Sequence, residues 1–181
     1  YSLPAMKESF SDLPAVFAVL VPGARWESKK FPPACFGEIV KEIRKKFPGC
    51  GAVIAGAAGD KKEAQLIQQI IPDAVDLTGK TSLVQLAEVM KKASVVITND
   101  SGPMHVAALT GTPIYALFGS TLPRLTGPWG AGHKVVLAQG ADCIGCMKRN
   151  CPAPEKHICH KIDCAGTGAE IGEFLKQQHL S

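Results

Sequence analysis

Apolar residues along the chain follow two alternating rhythms. Short β-branched or apolar runs at Val16 to Val21, Ala52 to Ala55, Val75 to Leu77, Val95 to Thr98, Ile114 to Phe118 and His133 to Leu137 predict strands. Between them the spacing becomes helical. Phe36 to Phe47 places Phe36, Ile39, Val40, Ile43 and Phe47 on one face, and Ser82 to Lys92 does the same with Leu83, Leu86, Ala87 and Met90. Lys61 to Ile71, Pro103 to Thr110 and Ile171 to Leu180 complete the predicted helices. Strands that are apolar throughout need cover on both faces. The pattern therefore predicts an α/β fold: a Rossmann-like parallel sheet with helices on both sides, joined by right-handed crossovers. Residues 1 to 14, polar and mixed with Pro4 and Pro14, read as a linker or N-terminal extension; residues 15 to 181 read as one domain.

Open parallel sheets bind ligands beyond the carboxyl ends of their strands. That rule collects five turns on one rim: Pro22 to Lys30, Gly56 to Asp60, Thr78 to Ser82, Asn99 to His105 and Gly119 to Pro123. The fourth carries the most chemistry. The strand Val95 to Thr98 ends in Asn99-Asp100-Ser101-Gly102-Pro103-Met104-His105 and hands over directly to a helix. The first amides of that helix have no intrahelical partner, and its dipole is positive at this end, so the turn suits a phosphate group. Gly102 permits close approach of a ligand to the backbone, and His105 adds a side-chain donor. The plainer account is a capped helix start, since Asn, Asp, Ser and Gly suit any such turn. A carboxylate beside a diphosphate is repulsive, so Asp100 is expected to orient backbone or hydroxyl groups and not to touch phosphate. Arg25 and Lys29, in the loop after the first strand, are cations able to stabilise charge growing on a leaving phosphate. The alternative for them is ordinary solvent exposure.

Composition and charge narrow the classes. A net charge of +4, with Lys and Arg scattered apart from Lys41 to Lys46 on a helical face, argues against a nucleic-acid surface and suits a small anionic ligand. No apolar run approaches a membrane span; the best is Ala15 to Val21. No signal peptide is visible, and the chain does not begin with Met, so a piece of a longer, cytoplasmic protein is expected. Gly79-Lys80-Thr81-Ser82 imitates the end of a nucleoside-triphosphate loop, but Ala74 stands where the first glycine of that motif belongs. Thr81 or Ser82 is better read as a helix cap.

The Asn-Asp-Ser-Gly-Pro-Met-His turn, with Leu117-Phe118-Gly119-Ser120-Thr121 and Gly127-Pro128 after it, resembles the signature of the ADP-heptose:lipopolysaccharide heptosyltransferases, glycosyltransferase family 9. Val21-Pro22-Gly23-Ala24-Arg25-Trp26, Lys29-Lys30-Phe31-Pro32, Leu77 to Leu83 and a late cysteine cluster follow in the expected order, from about residue 16 to the end. The resemblance implies the C-terminal, donor-binding half of a two-domain GT-B enzyme. That enzyme is inverting, transfers heptose from ADP-heptose to the lipopolysaccharide inner core, and needs no cofactor for catalysis. It implies that the Ser101 and Gly102 backbone and His105 contact the donor diphosphate, with Asp100 alongside. Lys29 matches the family's phosphate-binding lysine, with Lys30 as a one-residue alternative. Asp60 and the turn Thr78, Gly79, Thr81 would face the nucleoside, and Thr121 would edge the site. The base that activates the acceptor hydroxyl, and most acceptor contacts, would belong to an N-terminal domain absent here, so no catalytic residue is expected in this fragment. The full enzyme would work at the cytoplasmic face of the inner membrane, with peripheral association possible.

Seven cysteines leave one question open. Cys143-x2-Cys146-x4-Cys151-x7-Cys159, within a Cys-rich loop at about 143 to 164 that also holds Cys164, His157 and His160, has the density of a structural zinc knuckle. Free or oxidised thiols are the alternative, with disulfides disfavoured in a cytoplasmic enzyme. Cys35 and Cys50 read as core residues. Two other functions stay open beside the transferase: a non-catalytic nucleotide-sugar-binding domain, and a metal-stabilised interaction module built on the cysteine loop.

Overall fold

A computed structural model describes residues 13–180. Its centre is a six-stranded, all-parallel sheet of β1 (Phe17–Val21), β2 (Gly51–Ile54), β3 (Val75–Asp76), β4 (Val95–Asn99), β5 (Ile114–Phe118) and β6 (Lys134–Leu137), in the order β3-β2-β1-β4-β5-β6. Helices α1 (Pro33–Lys46), α2 (Lys61–Ile70), α3 (Leu83–Lys92), α4 (Gly102–Thr110), α5 (Pro123–Thr126) and α6 (Cys164–Leu180) flank it. This is the doubly wound Rossmann-like arrangement that the apolar strands demand.

The pleat of each central strand sends alternate side chains to opposite faces. Ala18, Leu20, Val95, Ile97, Tyr115 and Leu117 join one cluster, roofed by Phe36, Ile39 and Ile43 of α1, Ile67 of α2, and Ile171 and Leu175 of α6. Phe17, Val19, Val21, Val96, Ile114, Ala116 and Phe118 join the other, under Val89 and Met90 of α3 and Met104 and Ala107 of α4. Truncating a fully buried aromatic such as Phe36 to alanine removes about 3–5 kcal/mol. On the first face α6 lies so close to α1 that a Cβ at Gly168 would stand 2.5 Å from the Ile39 carbonyl oxygen. Only glycine fits there.

Several boundaries differ from expectation. Helix α1 starts three residues before Phe36, because Pro33 sits in its first turn with φ already set for a helix. Helix α6 starts at Cys164, not Ile171. Its first turns are rich in glycine and hide the periodicity, yet Asp163 Oδ1 accepts the Gly166 amide at 2.7 Å and anchors the start. The short α5 was not anticipated. Ser82 forms the expected cap, accepting the Gln85 amide at 3.2 Å. Of the expected extension 1–14, residues 1–12 lie outside the described residues, whereas Leu13 packs against the second cluster. Among the described residues no helix is long and apolar enough to cross a membrane.

Cys35 is not a simple core thiol. It forms a disulfide with Cys164, 129 residues away in sequence, where the sequence reading disfavours disulfides and takes Cys35 as a core residue only. The cause is the packing of α6 along α1, which brings the starts of the two helices to a Cα–Cα separation of 5.6 Å. Cys50 is a buried free thiol, as expected, and burial pushes its pKa up.

Candidate functional site

Strand order reverses between β1 and β4, which are hydrogen-bonded neighbours with their following helices on opposite faces. The turns after these two strands therefore flank the topological switch point, where doubly wound sheets open a crevice. Asn99, fully buried at the end of β4, ties them together: its Nδ2 donates to the Pro22 carbonyl at 2.7 Å, and its Oδ1 accepts the Phe31 amide at 3.4 Å.

Ser101 is the N-cap of α4, but its side chain makes no capping hydrogen bond; its Oγ lies 3.4 Å from Thr98 Oγ1. Gly102 and His105 are exposed on the first turn, and a Cβ at Gly102 would meet nothing within 4 Å. Gly102 is thus not required by packing or by a left-handed backbone. An ordinary cap would place the serine oxygen on the helix amides, and here it does not.

Lys29 closes the site from the β1 side. Its Nζ stands 2.8 Å from Asp100 Oδ2 and 4.7 Å from the centroid of the Trp26 ring. The same carboxylate oxygen accepts hydrogen bonds from Thr121 Oγ1 at 2.6 Å and Thr126 Oγ1 at 3.0 Å. Asp100 Oδ2 is thus engaged with a cation and two hydroxyls. Lysine carries three donors, so the ion pair fixes Lys29 without exhausting it. Lys30 turns the other way, to Glu63 Oε1 at 3.0 Å. That hydrogen bond raises the Lys30 pKa; burial pushes the Glu63 carboxyl up, but the Lys30 hydrogen bond, a backbone hydrogen bond and the nearby Lys30 and Lys62 charges together hold it below its ordinary range. Of the two lysines, Lys29 is thus the one paired with Asp100 at the β4 turn. Arg25 is exposed in the same loop.

The remaining residues divide between the two sides of the switch point. Asp60, at the end of a short 3-10 turn after β2, accepts the Ala57 amide at 2.8 Å, and its carboxylate occupies the space that Cβ atoms on Gly23 and Gly56 would need. It is a local cap that seals the β1 and β2 turns. The Gly79 amide donates to the Gly56 carbonyl at 2.9 Å, joining the β3 turn to the same side. Thr78 corrects an expectation: it is 0% exposed, with a buried hydroxyl that has no hydrogen-bond partner, so its side chain lines no open surface, whereas Gly79 is exposed and Thr81 half-buried. Thr121, expected at the edge near the nucleoside residues, lies on the opposite side, on Asp100.

Cys143, Cys146, Cys151 and Cys159 are free thiols. They line one cavity of about 120 Å³ with His157, Ser28 and Ser120. Among the described residues no three His, Cys, Asp or Glu side chains stand in an arrangement that holds a metal ion, so the thiols surround the cavity without converging. Burial and the neighbouring thiols push Cys159 up to about 11, while the His157 and Ala153 amides lower Cys151.

Residue types alone did not single out Ser28, Asn99, Ser120 or Thr126. Asn99 stands inside the motif, so its position was visible and its role was not. Ser28 and Thr126 act through partners far away in sequence, and nothing local marks them.

Residues 2–157 match the model of glycosyltransferase family 9 (heptosyltransferase). The chain is 32% identical over 113 residues to lipooligosaccharide heptosyltransferase 2 of Haemophilus influenzae, covering 59% of this chain and 32% of that protein. It is 29% identical over 168 residues to lipooligosaccharide heptosyltransferase 2 of Campylobacter jejuni, covering 89% and 51%. The fold matches the structure of Escherichia coli ADP-heptose lps heptosyltransferase II with a TM-score of 0.74 at 24% identity, over 93% of this chain and 48% of that one. The chain thus spans about half, or less, of the length of these relatives.

Proposed function

The chain belongs to glycosyltransferase family 9, and from that premise we propose that it is the donor-binding half of an enzyme that transfers heptose from ADP-heptose to the lipopolysaccharide inner core. The relatives of known name are lipooligosaccharide heptosyltransferases, which supports the sugar and acceptor class. The diphosphate sits on the exposed first turn of α4, at the Ser101 and Gly102 backbone and His105, with Lys29 beside it. Asp60, Gly79 and Thr81 face the nucleoside; Arg25 lies at the mouth.

In the reaction an acceptor hydroxyl oxygen attacks the anomeric carbon of the heptose from the face opposite the leaving group. The bond from that carbon to the β-phosphate oxygen breaks, its electrons stay on ADP, and a base removes the acceptor proton. Negative charge grows on the leaving diphosphate. Fixed donors aimed at growing charge lower the barrier, each typically worth about 10²–10³ in rate. Lys29 and the α4 amides are those donors. The base belongs to the N-terminal half, so this chain alone binds donor and does not turn it over. The whole enzyme works at the cytoplasmic face of the membrane, with its lipid-linked acceptor. Donor chemistry needs no cofactor; zinc, if bound at Cys143, Cys146, Cys151 and Cys159, serves structure.

The observation that carries this reading is the uncapped, exposed start of α4 at the switch point, with Lys29 clamped next to it by Asp100. Calorimetric titration of this chain with ADP, UDP and GDP tests it. Saturable ADP binding that exceeds the other two is expected; equal or absent binding of all three refutes it.

A further inference from the structure

Arg149 stands in the loop between β6 and α6, remote in sequence from the α4 turn, yet its backbone is fastened beside Lys29. Ser28, the residue before Lys29, donates its amide to the Arg149 carbonyl at 3.2 Å and its hydroxyl to the Lys148 carbonyl at 2.6 Å. Ser28 is itself buried, and its Oγ also lies 3.0 Å from Ser120 Oγ, in the turn after β5. The loop hangs on that same turn: the Gly145 and Met147 amides donate to the Gly119 and Ser120 carbonyls at 2.9 and 2.7 Å. Residues 145–149 are thus bonded to the β5 turn at one end and to the β1 loop at the other.

The side chain is fixed as well. The central guanidinium carbon of Arg149 lies 5.5 Å from the centroid of the Trp26 ring, the ring that also carries Lys29 Nζ at 4.7 Å. The negative face of an aromatic ring attracts cations, and a planar guanidinium stacks on it. Two cations on one ring also repel each other. Asp100 answers the charge of Lys29 at 2.8 Å, and Glu27, next to Trp26, faces Lys30 at 4.0 Å. Among the described residues no carboxylate pairs with Arg149, and Arg149 is exposed. An exposed arginine is ordinarily just solvated. This one is stacked, held by its backbone and set beside a like charge, an arrangement that an anion between the two cations relieves.

We propose that Arg149 contacts the β-phosphate of the donor, as a second cation beside Lys29. The inference rests on the donor reading above and gives the diphosphate a direction. Asp60, Gly79 and Thr81, which that reading sets at the nucleoside, follow β2 and β3, on one side of the switch point. The loop that bears Arg149 is tied to the β5 turn, on the other side. A diphosphate lying across the α4 turn then turns its α-phosphate towards the nucleoside residues and its β-phosphate towards Arg149. A guanidinium presents a planar fork of donors that matches two phosphate oxygens, whereas an ammonium is a point charge. When the bond from the anomeric carbon to the β-phosphate oxygen breaks, its electron pair stays on that phosphate. Arg149 and Lys29 share the charge that grows there, and Arg149 stays protonated throughout.

Calorimetric titrations with ADP and with AMP, on this chain and on Arg149→Ala and Arg149→Lys, test the inference. The parent chain is expected to bind ADP more tightly than AMP. Arg149→Ala is expected to weaken ADP binding about 10- to 100-fold, the size of a lost hydrogen bond from a charged donor, while AMP affinity stays within about twofold. Arg149→Lys is expected to recover only part of the ADP affinity, because it keeps the charge and loses the fork. An arginine that merely braced the loop would shift both nucleotides together. Urea unfolding of the same samples is expected to show an unchanged midpoint, since the side chain is exposed. ADP affinity in Arg149→Ala equal to the parent's, or equal losses for ADP and AMP, overturns the inference and leaves the donor reading standing. A parent chain that binds neither nucleotide overturns the donor reading, and the inference falls with it.

Discussion

Replacing Lys29 with alanine separates what the lysine does for the fold from what it does for a ligand. The Lys29 and Asp100 side chains are 16% and 5% exposed, so this pair is shielded from solvent. Deleting one member of such a pair typically costs about 3–5 kcal/mol, because the other charge stays buried. Asp100 would keep the Thr121 and Thr126 hydroxyls as donors, which puts the loss at the lower end, about 3 kcal/mol. The double variant Lys29→Ala/Asp100→Asn removes the stranded charge, and its stability should return to within about 1 kcal/mol of the parent. Nucleotide affinity should not return. A hydrogen bond from a charged donor contributes about 1.5–3 kcal/mol, so both variants should bind ADP about 10- to 100-fold more weakly. Urea unfolding and calorimetric titration measure the two quantities on the same samples. A single variant as stable as the parent would refute the shielded pair. ADP affinity that recovers in the double variant would refute direct phosphate contact by Lys29.

Three further outcomes are expected. Gly102→Ala meets open space, so stability should hold or rise slightly, whereas ADP affinity should fall about tenfold as the methyl group stands where the phosphate docks; unchanged affinity in a titration would remove Gly102 from the site. Burial holds the His160 pKa below its usual 6.5 despite the hydrogen bond to Ser28. The unfolded chain then binds the extra proton first, so stability is present above pH about 6.5 and is lost as the pH falls towards the folded-state value. Thermal melts across that window should show this slope in the parent and a flatter one in His160→Asn; equal slopes would contradict a buried neutral imidazole. Removing the Cys35–Cys164 disulfide, which spans 129 residues, as a paired Cys35→Ala/Cys164→Ala change should cost about 2–4 kcal/mol in urea unfolding; an equally stable variant would show that no bond forms.

The sheet was legible because each core strand is apolar on both faces, and the rim turns followed from the rule that ligands sit at strand ends. The Ser101 turn stood out because glycine, a cap-type residue and histidine at a strand-to-helix junction have a shared physical use. Less visible were features made by the return of distant chain. Cys35 and Cys164 meet only because Gly168 lets α6 settle against α1. Asp100 found its cation from the β1 loop and its hydroxyls from the β5 turn, neither of which local spacing reveals. The start of α6 was hidden by glycine and threonine, whose weak helix propensity is overridden by the Asp163 cap and the burial of Ile171 and Leu175. Thr78 was misjudged because a threonine in a turn after a strand is usually open, and this one is covered.

A crystal structure of this chain with ADP tests the central claim most directly. The account predicts both phosphates against the first turn of α4, within hydrogen-bond reach of the Gly102 amide, His105 and Lys29 Nζ. Nucleotide bound elsewhere on the molecule, with that turn bare, would contradict it.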